Sequence, residues 1–523
     1  MIESSDAYKS AVVGDFRRTM IRAVIDIIDP DIVYGSVSGS AQAGYSKPAQ
    51  VIDGEFVSQD NFATLELNRW ILDGSFESVP AGGTSRQVGY IGSALSGDDG
   101  SFAEAQTITV NFSGVETLQA ITLSFPESFY DGVAEDFTVT CGGQTFTRTG
   151  NRASRVVISD FTATNPASIV LSVTKWSVPR RRMRVIEIFP GLHEEWSGDD
   201  VYALSVNQQA NFAAVALPYG TATLTVDNTT RRFEPTSPTG IFRSIEERQG
   251  IDISIGVELP SGAAEYKRVG RFYQYSGGWK TGQNAMTIQW SLVDVVGLLA
   301  DREYIPPATL PTTASGWVAS VVAQLGKNFA ANYAVDQTLA SVALSPDAAA
   351  NVTGKRCADI LSWVAMAVGG YIVADASTGK LALKAISSAG GNVSLDDLEQ
   401  YPTVKANEDL AAVIFTLHDG NSTQYSVAGN AAASSATLSI DNPFIKTQTA
   451  ADAVAARILK FYGGNAFEAV GRGNPAAEIG DVDSIEVAKS QTVSARRSGQ
   501  SLAFNGGVLK SCQSQFIEVK TDA

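Results

Sequence analysis

TGKRCADILSWVAMAVGGYIVADASTGKLALKAI, residues 353–386, changes its hydrophobic period halfway along. Cys357, Ile360, Leu361, Val364 and Val368 recur at helical spacing, with Lys355, Arg356 and Asp359 on the other side, the pattern of an amphipathic helix. Gly369 and Gly370 stop it. Tyr371–Ala374 then reads as a strand, Asp375–Lys380 as a turn, and Leu381, Leu383 and Ala385 alternate as a second strand. Burial of the helical side chains contributes about 1.5–3 kcal/mol each. That is enough to fix a helix and hairpin against a larger sheet, and too little to make the unit a domain alone.

A helix, paired glycines, an apolar strand, a short polar turn and a Lys380-Leu381-x-Leu383 strand resemble the central segment of tail-tip hub proteins of tailed bacteriophages. The resemblance is one of pattern and order and spans residues 1–57 and 193–523. It implies a helix and hairpin set between two β-barrel domains. Read from its residues alone, the stretch equally suits an ordinary α+β docking unit.

Outward from this stretch, composition sets bounds. A chain of 523 residues is too long for one core and divides into about three to five domains. Forty-seven glycines with frequent Ser, Thr and Val favour β-rich domains. The formal charge of −16 makes sequence-specific nucleic-acid binding a poor expectation, because that affinity comes largely from Lys and Arg displacing counterions. An acidic lumen would instead repel phosphates and let DNA slide past. Cys141, Cys357 and Cys512 are odd in number and far apart, so they read as reduced thiols of a protein made in the cytoplasm. Arg17, Arg18, Arg22 and Asp26 interrupt the apolar N-terminal stretch, so no signal-peptide core and no membrane-spanning segment is expected.

Along the chain, 5–16 reads as a short helix, Thr19–Ile28 as a strand, and the Gly/Ser/Ala-rich 35–47 as a mobile loop. From about Phe56 to Pro190, short strands about ten residues apart indicate a β-sandwich. Asn68-Arg69-Trp70 with Leu72-Asp73-Gly74, Ile121-Thr122-Leu123-Ser124-Phe125, Lys175-Trp176 and Arg184-Val185-Ile186-Glu187-Ile188 follow in an order that resembles the galactose-binding-like (discoidin-type) jelly-roll of phage tail proteins. Strand patterns resume at Thr221–Val226 and Met286–Trp290. By the hub resemblance these belong to the first barrel, into which the jelly-roll is inserted as a cassette. PPATLPT at 306–312 is a linker, a helix covers Ser315–Leu325, and 386–393 is a flexible joint. A helix over Ala450–Tyr462 follows Thr449 as N-cap. Asn474-Pro475, Ile479-Gly480-Asp481-Val482 and a late Gly-Gly hairpin resemble the last barrel of the hub family.

The chemistry argues against an enzyme. His193 and His418 have no partners at strong metal-ligand spacing, and no nucleophile elbow or phosphate loop is present. Ser172-Val173-Thr174-Lys175 fits S-x-x-K but lies on a predicted strand face. The pairs Asp98-Asp99 and Asp396-Asp397 would serve a glycosidase only at the right separation. Arg180, Arg181, Arg182 and Arg184 form the most basic feature, read as charge protecting an edge strand or as a protein interface. In the cassette, Trp70, Phe76, Tyr90, Phe102, Phe129 and Tyr130 are either core or a sugar-stacking surface, with Phe129-Tyr130-Asp131-Gly132 the candidate exposed tip. The jelly-roll resemblance implies a structural Ca²⁺ held by Asp73 and Glu187, hard oxygen donors suited to it. No other cofactor is required.

The expected fold is therefore mainly β and multidomain. Residues 1–57 and 193–305 form the first hub barrel around a galactose-binding-like sandwich at 58–192. A small helix-hairpin α+β domain covers 306–400, and 401–523 form the second barrel and C-terminal β domain. The expected role is a non-enzymatic tail-tip (baseplate) hub of the virion. It closes the tail tube at the distal end of the tail and anchors host-recognition components. Its expected partners are other copies in a homotrimer, distal-tail ring, tail-tube or tape-measure proteins, fibre or receptor-binding proteins, and a cell-surface glycan. A hexameric distal-tail ring or receptor-binding-protein carrier, and a carbohydrate-binding adhesin, are the alternatives.

Overall fold

The computed structural model describes residues 2–14, 16–29, 32–56, 62–63, 66, 77–78, 87–127, 130–159, 161–229, 249–281, 286–326, 329, 331–386, 390–406, 408–432, 434–505, 507–509 and 511–519, with side chains 62–63, 77–78, 275–279 and 281 excepted. The protein is mainly β and multidomain, and its described residues fall into two compact units, one of 26–194 and one of the remainder.

In the unit of residues 26–194, a five-stranded antiparallel sheet runs in the order Gln144–Arg148, Ala134–Cys141, Ser168–Trp176, Ser101–Ser113, Val33–Gly39. Alternation along Ser168–Trp176 buries Ile169, Leu171 and Val173 completely, as expected for strands covered on one face. These side chains share a core with Ile121, Leu123 and Ile188 of a three-stranded sheet, Arg155–Ile158, Ile121–Ser124, Glu187–Phe189. The result is a two-layered sandwich. Val33–Gly39 corrects the loop expected at 35–47: its first residues pair with Ser101–Ser113, and small side chains are compatible with an edge strand.

In the other unit, strands form one path: Thr19–Ile28 (through Ile25), Gly250–Glu258, Ala264–Thr281, Thr287–Val293, Thr221–Asp227, Val201–Gln209, Gln491–Asn505, Cys512–Glu518, Ala466–Gly471, Thr403–Lys405. No closed barrel is present among the described strands, where two were expected. The reason lies in Val201–Gln209. One edge pairs with Thr221–Asp227 and the other with Gln491–Asn505, from Ala203↔Asn505 to Gln209↔Gly499. With its second edge taken by Gln491–Asn505, this strand cannot pair back onto the far end of the first set, and it joins the two strand sets into one path.

The stretch at 353–386 forms the helix Cys357–Val368 and the antiparallel strands Gly370–Ala374 and Leu381–Ala385. Cys357, Ile360, Leu361 and Val364 are fully buried, and Val368 is half-buried. Gly369 closes the helix in the left-handed region, φ 81°, where a side chain is disfavoured. Tyr333–Val335 adds a third, parallel strand. The helix Ala314–Val322 begins at Thr313, whose Oγ1 accepts from the Gly316 amide at 3.2 Å. It sends Trp317 into the same core, edge-on to Phe444 at 5.0 Å between ring centroids. Val413, Phe415, Ile440, Val454 and Ile458 also enter this core, so residues on both sides of 400 share it.

Two local expectations are corrected. The helix Gln448–Tyr462 is capped by Thr447, whose hydroxyl accepts from the Ala450 amide, and not by Thr449. The joint at 386–393 ends in a short strand, Asn392–Val393, parallel to Ser484–Ile485, with the Gly391 amide held by Asp483 at 2.8 Å.

Candidate functional site

Glu187 opens the strand Glu187–Phe189 and pairs with Ser124, which places its side chain inside the sandwich unit with no solvent exposure. One carboxylate oxygen, Oε2, accepts from the Gly54 amide at 3.3 Å. The other, Oε1, is buried with no hydrogen-bond partner among the described residues. Burial, reinforced by the nearby charges of Asp53 and Asp26, pushes this carboxyl up to about 10. Burial also raises Asp53.

Asp73, the other expected calcium ligand, lies outside the described residues. Among the described residues, the Asp53-Gly54 turn faces Glu187. Its signal in the sequence was the Asp-Gly pair itself, a turn marker. A buried carboxylate with an orphaned oxygen beside a second carboxylate fits a hard divalent cation, which would neutralise both. Among the described residues no group of three or more His, Cys, Asp or Glu side chains surrounds one point. By the jelly-roll resemblance, backbone carbonyls would supply the remaining ligands.

In the arginine run, Arg181 and Arg184 are buried and Arg180 is exposed. Arg182–Val185 pairs with Tyr90–Leu95. Arg184 is buried, with Nε donating to the Val88 carbonyl at 3.0 Å and Nη1 3.5 Å from Asp131. Arg181 is buried too, donating from Nε to the Tyr130 carbonyl at 2.7 Å. Arg182 meets Glu66 at 3.3 Å, and Arg180 pairs with Asp98. These contacts tie the loops at 96–98 and 130–131 to the strand. At the expected tip, Tyr130 is exposed but Asp131 is buried. Tyr90 and Phe102 are core, while Trp70, Phe76 and Phe129 lie outside the described residues.

The residues weighed for catalysis are occupied otherwise. His193 Nδ1 lies 2.6 Å from Asp26, a pairing also seen in hydrolase dyads, but the ring is buried and stacked on Phe56 at 3.6 Å between centroids. Its Nε2 meets no partner among the described residues. His418 stands between Asp347 and Asp441. Lys175 binds Glu135 at 3.1 Å on the sheet face that carries Ser172. Asp99 accepts from the Ser101 amide and hydroxyl within its own turn. Asp397 sits in a 3₁₀ turn, half-buried, and burial raises its carboxyl.

No protein-family profile and no curated protein sequence matches this chain. Solved structures it resembles include tail proteins, two of them from prophages. The prophage MuSo2 43 kDa tail protein from Shewanella oneidensis shares 13% identity over 74% of this chain and 98% of its own, with a TM-score of 0.41. A tail protein from Neisseria meningitidis MC58 shares 10% over 62% and 94%, with a TM-score of 0.44. Prophage tail protein gp18 from Listeria monocytogenes shares 8% over 63% and 92%, with a TM-score of 0.38. No helix among the described residues is long and apolar enough to cross a membrane.

Proposed function

We propose that the chain is a non-enzymatic tail-tip hub of a tailed phage, sited in the virion at the distal end of the tail, where it closes the tube and anchors host-recognition components. The observation that carries this reading is the use of both edges of Val201–Gln209, which makes one continuous scaffold of the two strand sets that flank the helix-hairpin unit. A scaffold of this kind suits a protein whose work is to hold repeated interfaces in a ring. The sequence resemblance supplies the expected stoichiometry, a homotrimer, and the expected neighbours: distal-tail ring, tube or tape-measure proteins, and fibres. Glu187 and the Asp53-Gly54 turn are assigned in the same proposal to a structural calcium ion of the sandwich unit.

Immunogold electron microscopy of intact virions, with antibody to the whole chain, tests the location, and quantitative mass spectrometry of purified tails tests the copy number. Label at the tail's distal end with three copies per tail is the expected result. Six copies would favour the distal-ring reading. Purified, intact tails that contain none of the protein would overturn the structural role.

A further inference from the structure

We propose that His418 is a proton-operated latch joining the segment at Asp347 to the end of the strand Thr437–Asp441. The ring stands between two carboxylates: Nδ1 is 3.1 Å from Asp347 Oδ1 and Nε2 is 2.7 Å from Asp441 Oδ1. A neutral imidazole has one N–H and one lone pair. It can donate to one of these carboxylates and must then turn its lone pair toward the other. Only the imidazolium donates to both, so the bridge as it stands is a protonated one.

The surroundings make this a joint between separate stretches of chain. The backbone amide of His418 donates to the Ile445 carbonyl at 3.0 Å, which seats the residue beside the loop after Asp441. Asp347 is held by Asn351 Nδ2 at 2.6 Å. Lys446, on the flank of the same segment, donates from Nζ to Ser345 Oγ and to the Pro346 carbonyl, each at 3.2 Å. The neighbouring Asp419 is turned into its own loop, accepting from the Asn421 amide and the Thr423 hydroxyl. The imidazole is the part of this joint whose charge changes near neutral pH.

Burial of the ring by itself lowers its proton affinity, but the hydrogen bonds to Asp441 and Asp347 outweigh that and raise it above the ordinary histidine value. The latch is therefore fully closed below the unfolded value of about 6.5 and releases as pH rises through the higher folded value. Asp441 also lines a cavity of about 490 Å³ with Asp301, Arg356, Asp359 and Trp363. Release would loosen one wall of that cavity.

The test uses the full chain. His193 and His418 are the only histidines, so their ring signals can be followed by NMR, with His418→Gln identifying one of them. A midpoint for His418 above about 6.5, lowered in Asp347→Asn and in Asp441→Asn, is the expected result. Hydrogen exchange supplies a second readout on the unaltered protein. Corrected for intrinsic exchange, protection of amides at 345–353 and 437–447 should fall between pH 6 and 9 by about tenfold for each pH unit of the measured shift. The same amides should show no such fall in His418→Gln. A midpoint at or below about 6.5, or wild-type protection independent of pH, would overturn the latch.

Discussion

A buried carboxyl with an orphaned oxygen is costly, because the charged form loses its hydration and gains nothing in return. Glu187 is in that position: its Oε1 has no hydrogen-bond partner among the described residues, while Oε2 accepts from the Gly54 amide. Calcium added to the metal-stripped protein is expected to raise its melting temperature. At one hundred times Kd the gain is about 2.7 kcal/mol, and Glu187→Gln should abolish it. A melting temperature unmoved by saturating calcium would contradict the assignment. Asp294 is a different case, since both of its oxygens are used: Oδ2 accepts from the Gly220 amide at 2.6 Å and Oδ1 from the Gly297 amide at 2.9 Å. Burial still raises it to about 6. Because the folded value lies above the unfolded one, its contribution is greatest below about 4 and declines as pH rises through about 6. The urea midpoint of wild type minus that of Asp294→Asn should therefore fall from pH 4 to pH 7, and a constant difference would sink the argument.

The helix Cys357–Val368 and its hairpin were legible because each has a short-range period and a glycine stop. The cap at Thr447 was not, since Thr447 and Thr449 are equivalent in type and only the position of the last turn chooses between them. Gly480, in the turn before Val482–Ala488, shows how such an element is tied to another. Its φ is 101°, and a Cβ there would lie 2.1 Å from Tyr371 Oη on the strand after the helix. Gly507 is also left-handed, φ 86°, with open space around it. Gly507→Ala should cost only the backbone term of about 1–2 kcal/mol, whereas Gly480→Ala should cost more, because Tyr371 must move as well. Equal losses in chemical denaturation would show that the Tyr371 contact does not matter.

At the scale of the molecule, two compact units with separate cores should unfold as two events. Scanning calorimetry is expected to resolve two transitions. Leu171→Ala, in the sandwich core, should lower one of them, and Leu361→Ala, in the core of the helix-hairpin unit, the other, each by about 2–5 kcal/mol. A single transition shifted equally by both substitutions would mean that the cores are not independent. Because Val201–Gln209 and Gln491–Asn505 are neighbours in one sheet, the two flanking strand sets should share a transition.

The amino-acid sequence by itself determined the β-rich character, most of the strands, the amphipathic helix with its hairpin and the acidic charge, because each rests on composition or on a period of a few residues. Tertiary structure alone decided which edges meet and which charges are buried. The run Arg180–Arg184 reads in the sequence as charge on an edge strand or as an interface, whereas in the fold Arg184 finds Asp131 and the Val88 carbonyl. Among the described residues the group facing Glu187 is Gly54, 133 residues away in the chain. The union of the two strand sets depends on Ala203 meeting Asn505. Pairings at such separations leave no local period, since a strand's alternation records which face is buried and not which neighbour lies along its edge.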